Sequence, residues 1–160
     1  MIRAYVALGA NLGDPQRTVA IALAALDDID ATAVRARSSL YRTAPVGLRH
    51  QPDFINAVAA LDTGLAPAQL LEQLFALEAR FGRSRSVANA PRTLDLDLLL
   101  HGELVSADAW LTLPHPRMHE RAFVLAPLAE IAPDCRIPGR GGVRELLAAC
   151  ADQRIERLPA

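Results

Sequence analysis

The chain contains no lysine; all 17 of its basic residues are arginine. That absence excludes a P-loop lysine, the strand lysine of protein kinases and any Schiff-base lysine. If phosphate is handled here, arginine, backbone amides and metal must do it. Cysteine is scarce as well. Cys135 and Cys150 lie apart, without a paired-Cys or Cys/His metal spacing, and read as free cytosolic thiols. The aromatics, four Phe, two Tyr and one Trp, are too few and too scattered for a base-stacking surface that would bind nucleic acid. A net charge of -1 and a pI near 6.4 point the same way, because polyanion binders carry a basic excess. No apolar run has the length of a membrane span or the layout of a secretion signal, which places the protein in the cytoplasm with no membrane partner.

What is present is a chain of 160 residues, 51% of them hydrophobic, enough for one compact domain over 1–160. Alternation of Ala4, Val6 and Leu8 with Tyr5 and Ala7 predicts a strand from Arg3 to Leu8 that stops at Gly9. Asp14-Pro15 has the form of an N-cap followed by proline at the first helical position. Val19, Ala22, Leu23 and Leu26 continue at helical spacing to about Ile29. Val34 to Tyr41 and Phe54 to Leu61 read as strands joined by a long loop marked by Pro45, Gly47 and Pro52. Pro67 opens a second helix with Leu70, Leu71, Leu74, Leu77 and Phe81 on one face, ending at Gly82; Leu94 to Leu100 is a fourth strand.

The order strand, helix, strand, strand, helix, strand is that of the ferredoxin-like plan, an α+β fold whose two helices cover one face of an antiparallel sheet. Beyond it the sequence predicts a short strand near Leu104-Val105 and a proline-rich turn over Pro114 to Pro116. Further helices follow at about Met118 to Leu128 and Val143 to Ala149, with a surface turn over Pro138 to Gly142 between them.

The chemistry concentrates in Thr93-Leu94-Asp95-Leu96-Asp97-Leu98. Strand periodicity puts both aspartates on one face and the leucines on the other. Two like charges there need water or cations between them, and hard carboxylate oxygens suit magnesium completed by water and phosphate. Taken alone, the same pattern also fits the polar side of an amphipathic strand. Arg83, Arg85 and Arg92 in the loop leading into this strand favour function, since guanidinium groups can contact the polyphosphate oxygens left over by metal. The stretch between Gly82 and Arg92, and another beginning at Thr43-Ala44-Pro45-Val46-Gly47, are long enough to be lids over ligands. Asn56 either satisfies neighbouring backbone or faces a ligand, and His115, near Thr112, Arg117 and Arg121, is either a structural turn or a second phosphate-contacting edge. His50, His101 and His119 show no metal spacing, Trp110 reads as packing, and Gly9 to Gly13 lacks the third glycine of a dinucleotide fingerprint and reads as a turn.

Five ordered blocks carry a resemblance: Ala7 to Asp14, Tyr41 to Gly47, Gln51 to Asn56, Ala90 to Asp97 and Pro114 to Met118. Together they resemble the 6-hydroxymethyl-7,8-dihydropterin pyrophosphokinase family of folate biosynthesis, over Ala4 to about Pro133, with Pro91-Arg92-Thr93-Leu94-Asp95-Leu96-Asp97 the most specific. The resemblance implies a ferredoxin-like αβα sandwich with extra C-terminal helices, acting as a monomer. It implies transfer of the β,γ-pyrophosphoryl group of ATP to the pterin hydroxymethyl group with release of AMP, on a pair of magnesium ions bridged by Asp95 and Asp97. By position, Arg83 and Arg92 match the catalytic arginines. Arg85, Arg92, Leu98, Thr112, His115 and Arg121 match ATP contacts. Thr43, Ala44, Val46, Phe54, Asn56 and Phe123 match the pterin site, with Phe54 and Phe123 stacking on the ring. The chain departs from enterobacterial-type members at Ala88-Asn89, where those carry a basic residue and a tryptophan, and is one residue shorter between Arg85 and Pro91. Phe75 and Trp110 also replace polar or basic residues on the ATP side.

Two other functions fit the residues less fully. A different magnesium-dependent nucleotidyltransferase built on D-x-D would release pyrophosphate instead of AMP, and a non-catalytic ferredoxin-like binding module would leave the aspartates as surface residues.

Overall fold

The computed structural model describes residues 1–45, 50–81 and 93–160. Strand β1 (Ile2–Ala10) is followed by helix α1 (Pro15–Leu26), then β2 (Thr32–Arg37), β3 (Tyr41–Thr43), β4 (Phe54–Thr63), helix α2 (Pro67–Arg80) and β5 (Asp95–His101). Strand β1 pairs antiparallel with both β4 and β5, and β2 and β3 both pair with the far side of β4. That is the predicted ferredoxin-like arrangement, closed at its far edge by a C-terminal strand, β10 (Glu156–Arg157), against β3.

Alternation sorts the side chains into two layers. Ala4, Val6, Leu8 and Ala10 of β1 join Leu96 and Leu98 of β5 in a core with Val19, Leu23 and Leu26 of α1 and Leu70, Leu74 and Leu77 of α2. Each leucine fully buried there contributes roughly 1.5–3 kcal/mol. The opposite face carries Val58, Leu99 and Leu100 against helix α3 (Ala122–Ile131) and the short α4 (Val143–Ala148). The sheet is therefore sandwiched, but α3 covers only part of its second face.

Helix α1 starts as the sequence predicts, with Asp14 accepting the backbone N–H of Arg17 at 3.3 Å and Pro15 in the first turn. It ends earlier, at Leu26, because the Asp27 side chain accepts the N–H of Val34 and turns the chain into β2. The single predicted strand Val34 to Tyr41 is two strands. Ser38, Ser39 and Leu40 lie opposite only Ala57 and Val58, and the Ser38 hydroxyl takes the Val58 N–H at 2.9 Å in place of a ladder carbonyl, so the extra residue bulges. Strand β1 does not stop at Gly9; the turn falls later, at Gly13, whose φ is 64°.

After β5 the short strand predicted near Leu104-Val105 is displaced, and a hairpin forms in its place. Leu104 and Val105 are exposed, and β6 (Ser106–Asp108) pairs instead with β7 (Leu111–Leu113). The predicted helix Met118 to Leu128 is interrupted: a single 3-10 turn over Met118–Glu120 gives way at Arg121, which is extended (φ -118°, ψ 109°), before α3 begins. Pro138 to Gly142 forms the end of a small hairpin of β8 (Arg136–Ile137) and β9 (Gly141–Gly142). Cys135 and Cys150 are free thiols on the second face, as expected, and burial pushes both above the usual thiol range. Among the described residues no helix is long and apolar enough to cross a membrane.

Candidate active site

Where α3 leaves the second face of the sheet uncovered, a cleft of about 620 Å³ opens. Its floor is set by strand register. Asn56 of β4, Gly9 of β1 and Asp95 of β5 form one row across three strands, and Ala7 and Asp97 lie side by side one step along. Both aspartates are half-buried and line the cleft, while Leu94, Leu96 and Leu98 between and beside them are buried in the opposite core. The two carboxylates thus project the same way, with nothing larger than a methyl group beside them on β1.

Gly9 matters for the row it occupies. A Cβ there would stand 3.1 Å from Oδ1 of Asn56. That amide is not free to give way, because Asn56 is buried and its Nδ2 donates to the Thr43 hydroxyl at 2.9 Å. Asn56 thus satisfies a neighbouring side chain and faces the cleft together with Thr43, Ala44, Phe54 and Phe123. All the expected pterin contacts within the described residues converge here.

The other wall is cationic. Arg117 and Arg121 line it beside Glu120 and Gln153, and the Arg121 guanidinium lies 5.4 Å from the ring centroid of Phe123. The break at Arg121 is held open by Gln153: its Oε1 accepts the N–H of Ala122 at 2.9 Å and its Nε2 donates to the carbonyl of Glu120 at 2.7 Å. One amide therefore satisfies both backbone groups orphaned by the interruption. Nothing local in the sequence marks Gln153, which acts across a separation of about thirty residues.

His115 joins this cleft to a second one. Its backbone N–H donates to the Leu99 carbonyl at 2.9 Å, and its Nδ1 accepts the N–H of Arg117 at 3.2 Å, which leaves the ring proton on Nε2. Burial chiefly, then the Arg121 charge, pushes its pKa down to about 4; Arg117 adds to this and Asp95 opposes it. The side chain is accordingly a neutral N–H donor at neutral pH. The second cleft, of about 220 Å³, shares Asp97, His115 and Pro116 with the first and is otherwise lined by Leu71, Phe75, Leu96, Leu98, Trp110, Leu111, Thr112 and their neighbours. Leu98, Thr112 and His115, three of the expected ATP contacts, meet there, while Arg121 lines only the first cleft. The Thr112 hydroxyl donates to the Asp108 carbonyl at 2.9 Å. Trp110 is not packed as the sequence suggested; it sits on the turn between β6 and β7 with 63% of its surface exposed.

Val46, Arg83, Arg85 and Arg92 lie outside the described residues. Among the described residues no three His, Cys, Asp or Glu side chains gather as a metal cluster. A site of two carboxylates suits a hard cation that takes the rest of its shell from water and phosphate, which is the habit of magnesium. Two other histidines have structural surroundings: His101 bonds the Leu65 carbonyl through Nε2 at 2.9 Å, and His119 lies 3.5 Å from Glu120.

The family model described as 7,8-dihydro-6-hydroxymethylpterin-pyrophosphokinase matches residues 5–133. A 2-amino-4-hydroxy-6-hydroxymethyldihydropteridine pyrophosphokinase of Pseudomonas aeruginosa is 50% identical over 157 residues, covering 98% of this chain and 97% of its own. The Haemophilus influenzae protein of the same name is 42% identical, with 99% of each chain covered. A crystal structure of Plasmodium falciparum HPPK-DHPS with pteroate superposes with a TM-score of 0.70 at 12% identity, over 92% of this chain. This chain spans 42% of that longer one, and at such identity the likeness speaks to the fold alone.

Proposed function

The chain belongs to the 7,8-dihydro-6-hydroxymethylpterin-pyrophosphokinase family, and from that membership we infer that it transfers pyrophosphate from ATP to the hydroxymethyl group of 6-hydroxymethyl-7,8-dihydropterin, giving AMP and the pterin diphosphate for folate biosynthesis. The observation that carries this reading is the row Asn56-Gly9-Asp95 with Asp97 beside it. It sets an amide suited to a heterocycle and a carboxylate pair suited to metal on the floor of one cleft.

The pterin ring takes the end of the cleft bounded by Thr43, Ala44, Phe54, Asn56 and Phe123, with Val46 a further contact by the family resemblance. Phe54 and Phe123 supply stacking faces, and the Asn56 amide, oriented by Thr43, supplies paired polar contacts. The nucleotide occupies the side of Leu98, Thr112, His115 and Arg121, with Arg85 and Arg92 reaching its phosphates. Asp95 and Asp97 would hold a pair of magnesium ions, which when bound neutralise polyphosphate charge and polarise the transferred phosphoryl oxygens.

The alcohol oxygen attacks the β-phosphorus in line, the α,β-bridging oxygen departs with AMP, and the alcohol proton leaves to water or a phosphate oxygen. No strong base is required, because positioning and charge stabilisation dominate phosphoryl transfer. Neutral His115 donates its Nε2 proton to an oxygen of the nucleotide, and Arg83, Arg92 and Arg121 stabilise the charge that develops. The protein works as a monomer in the cytoplasm, without nucleic acid; its net charge of -1 supports the last point.

Incubating the protein with ATP, magnesium and 6-hydroxymethyl-7,8-dihydropterin should yield AMP and pterin diphosphate in equal amounts. Formation of ADP, or of pyrophosphate without AMP, would overturn the assignment.

A further inference from the structure

The stretch from Met118 to Leu128 has the pattern of one continuous helix, yet it breaks at Arg121, whose backbone is extended between the 3-10 turn and α3. In an unbroken α-helix the Ala122 N–H would donate to the Met118 carbonyl, and the Glu120 carbonyl would accept the N–H of Val124. Both pairings are replaced. The Met118 carbonyl takes the N–H of Arg121 at 3.3 Å, and the Val124 N–H goes to the Arg121 carbonyl at 3.0 Å. The two groups left over, the Ala122 N–H and the Glu120 carbonyl, are the ones that the Gln153 side chain binds. Its amide therefore competes directly with closure of the helix.

Chemistry fixes the orientation of that amide. The Ala122 N–H can only donate and the Glu120 carbonyl can only accept, so the oxygen and nitrogen of Gln153 have one arrangement. The residue is also anchored: its own N–H donates to the carbonyl of buried Cys150 at 3.0 Å, and just beyond it Glu156 and Arg157 pair with β3. Gln153 itself is exposed at the rim of the cleft, where water can take over either side-chain bond. The bonds thus add little to global stability. What they fix is the backbone at Arg121.

Arg121 lines the same cleft as Asp95, Asp97 and His115, its guanidinium 5.4 Å from the Phe123 ring centroid. Closing the helix would turn ψ of Arg121 from its observed 109° to roughly -42° and re-aim the side chain relative to α3. We propose that Gln153 is a positioning residue for the reaction: by holding the break before α3 open, it aims Arg121 at the phosphates of the nucleotide. The inference rests on the nucleotide reading of the cleft. It goes further by giving a role to a residue outside every block that carries the family resemblance.

The test combines MgATP binding by calorimetry with steady-state kinetics of AMP formation. Gln153→Ala, and Gln153→Met, which keeps the length of the side chain without its amide, should each raise the Kd and KM for ATP about 10-fold while changing the KM for the pterin less than about 2-fold. Melting temperatures should stay close to that of the parent. In an Arg121→Ala background the same substitutions should change the Kd for ATP by less than about 2-fold, because the group they act through is gone. ATP affinity unchanged in folded Gln153→Met, a loss repeated in full on top of Arg121→Ala, or equal rises in both KM values overturns the positioning role. So does failure of both Gln153 variants to fold, which would make the residue a structural one; if only Gln153→Ala fails, Gln153→Met carries the test. The binding arm needs no turnover. The expected pattern in a protein that makes no AMP would uphold the role of Gln153 and reject the pyrophosphokinase assignment, whereas AMP formation with ATP affinity indifferent to Gln153 would do the reverse. A parent protein that binds no MgATP would reject both.

Discussion

The carboxylate of Glu78, on the buried side of α2, accepts the backbone N–H of Leu96 at 2.7 Å, and Leu96 is the residue between Asp95 and Asp97. Only 2% of Glu78 is exposed, so a buried carboxyl oxygen holds the strand segment that carries both cleft aspartates. The cleft-facing side of β5 is thus positioned from behind, through its backbone.

Glu78→Ala is expected to destabilise the fold by about 1–3 kcal/mol, the cost of leaving a buried N–H unsatisfied. It should also raise the magnesium concentration needed for half-maximal turnover, since the aspartates lose a fixed spacing. Glu78→Gln keeps an acceptor oxygen and should recover most of both effects. Thermal melts and magnesium titrations of the two variants check this; an unaltered magnesium requirement in Glu78→Ala would show that the bond serves stability alone.

Asp97→Asn and Asp97→Ala should fold normally, because the side chain is half-buried at the cleft rather than in the core. Turnover should fall by orders of magnitude in both, because charge and metal ligation are lost together. Near-normal rates in either variant would remove the metal role, and with it the reason for two carboxylates on one face.

Gly9→Ala should raise the KM for the pterin several-fold while leaving that for ATP close to its original value. The added methyl group would meet Oδ1 of Asn56 at 3.1 Å, and Asn56 is tied to Thr43 on its other side. Thr43→Val, which removes that tie without adding bulk, should have the same selective effect. Steady-state kinetics with each substrate varied in turn decides the matter, and equal changes in both KM values would point to general distortion of the sheet.

Acid should unfold the protein partly through Glu130. This carboxylate, on α3, accepts bonds from the Tyr41 hydroxyl at 2.8 Å, from Ser39 through both N–H and hydroxyl, and from Arg157 at 3.1 Å, tying α3 to β3 and β10. Burial alone would raise its pKa, but the bonds from Tyr41 and Ser39 and the charge of Arg157 outweigh it and hold the group below its usual value near 4.5. The folded state therefore binds this proton less readily than the unfolded one. Its stabilisation is complete above the unfolded value and is lost as pH falls through the depressed folded one. Glu130→Gln should melt at lower temperature than the parent at neutral pH and show a flatter acid limb, the two curves converging in acid. Parallel curves across the whole range would assign the acid sensitivity elsewhere.

Much of this architecture is legible in short stretches of sequence because its cause is local. Alternation in Leu94 to Leu98 is enough to aim two aspartates one way, and Asp14-Pro15 is enough to start α1. Errors fall where a distant partner overrides local preference. Gly9 looks like a stop, yet it continues β1 because Asn56 and Asp95 flank it on adjoining strands. The segment from Val34 to Tyr41 looks continuous, yet Ser38 bonding to Val58 splits it; Met118 to Leu128 looks like one helix, yet Gln153 stabilises a break at Arg121. Trp110 looks like core because indoles usually are, and only the placement of its hairpin turn leaves it in water.

The sequence by itself determined the strand-helix-strand and helix-strand frame of the core, the side of β5 on which the acids stand and, through the lack of lysine, that any Lys/Arg contact to a phosphate would be an arginine's. These follow from geometry that repeats every two residues or every turn. Tertiary structure alone decided that Asn56, Gly9 and Asp95 share a row, that Glu78 braces the strand from inside, and that Trp110 overhangs a second cleft. Such meetings join residues tens of positions apart, and their register is fixed by the packing of both sheet faces at once, which no local stretch encodes.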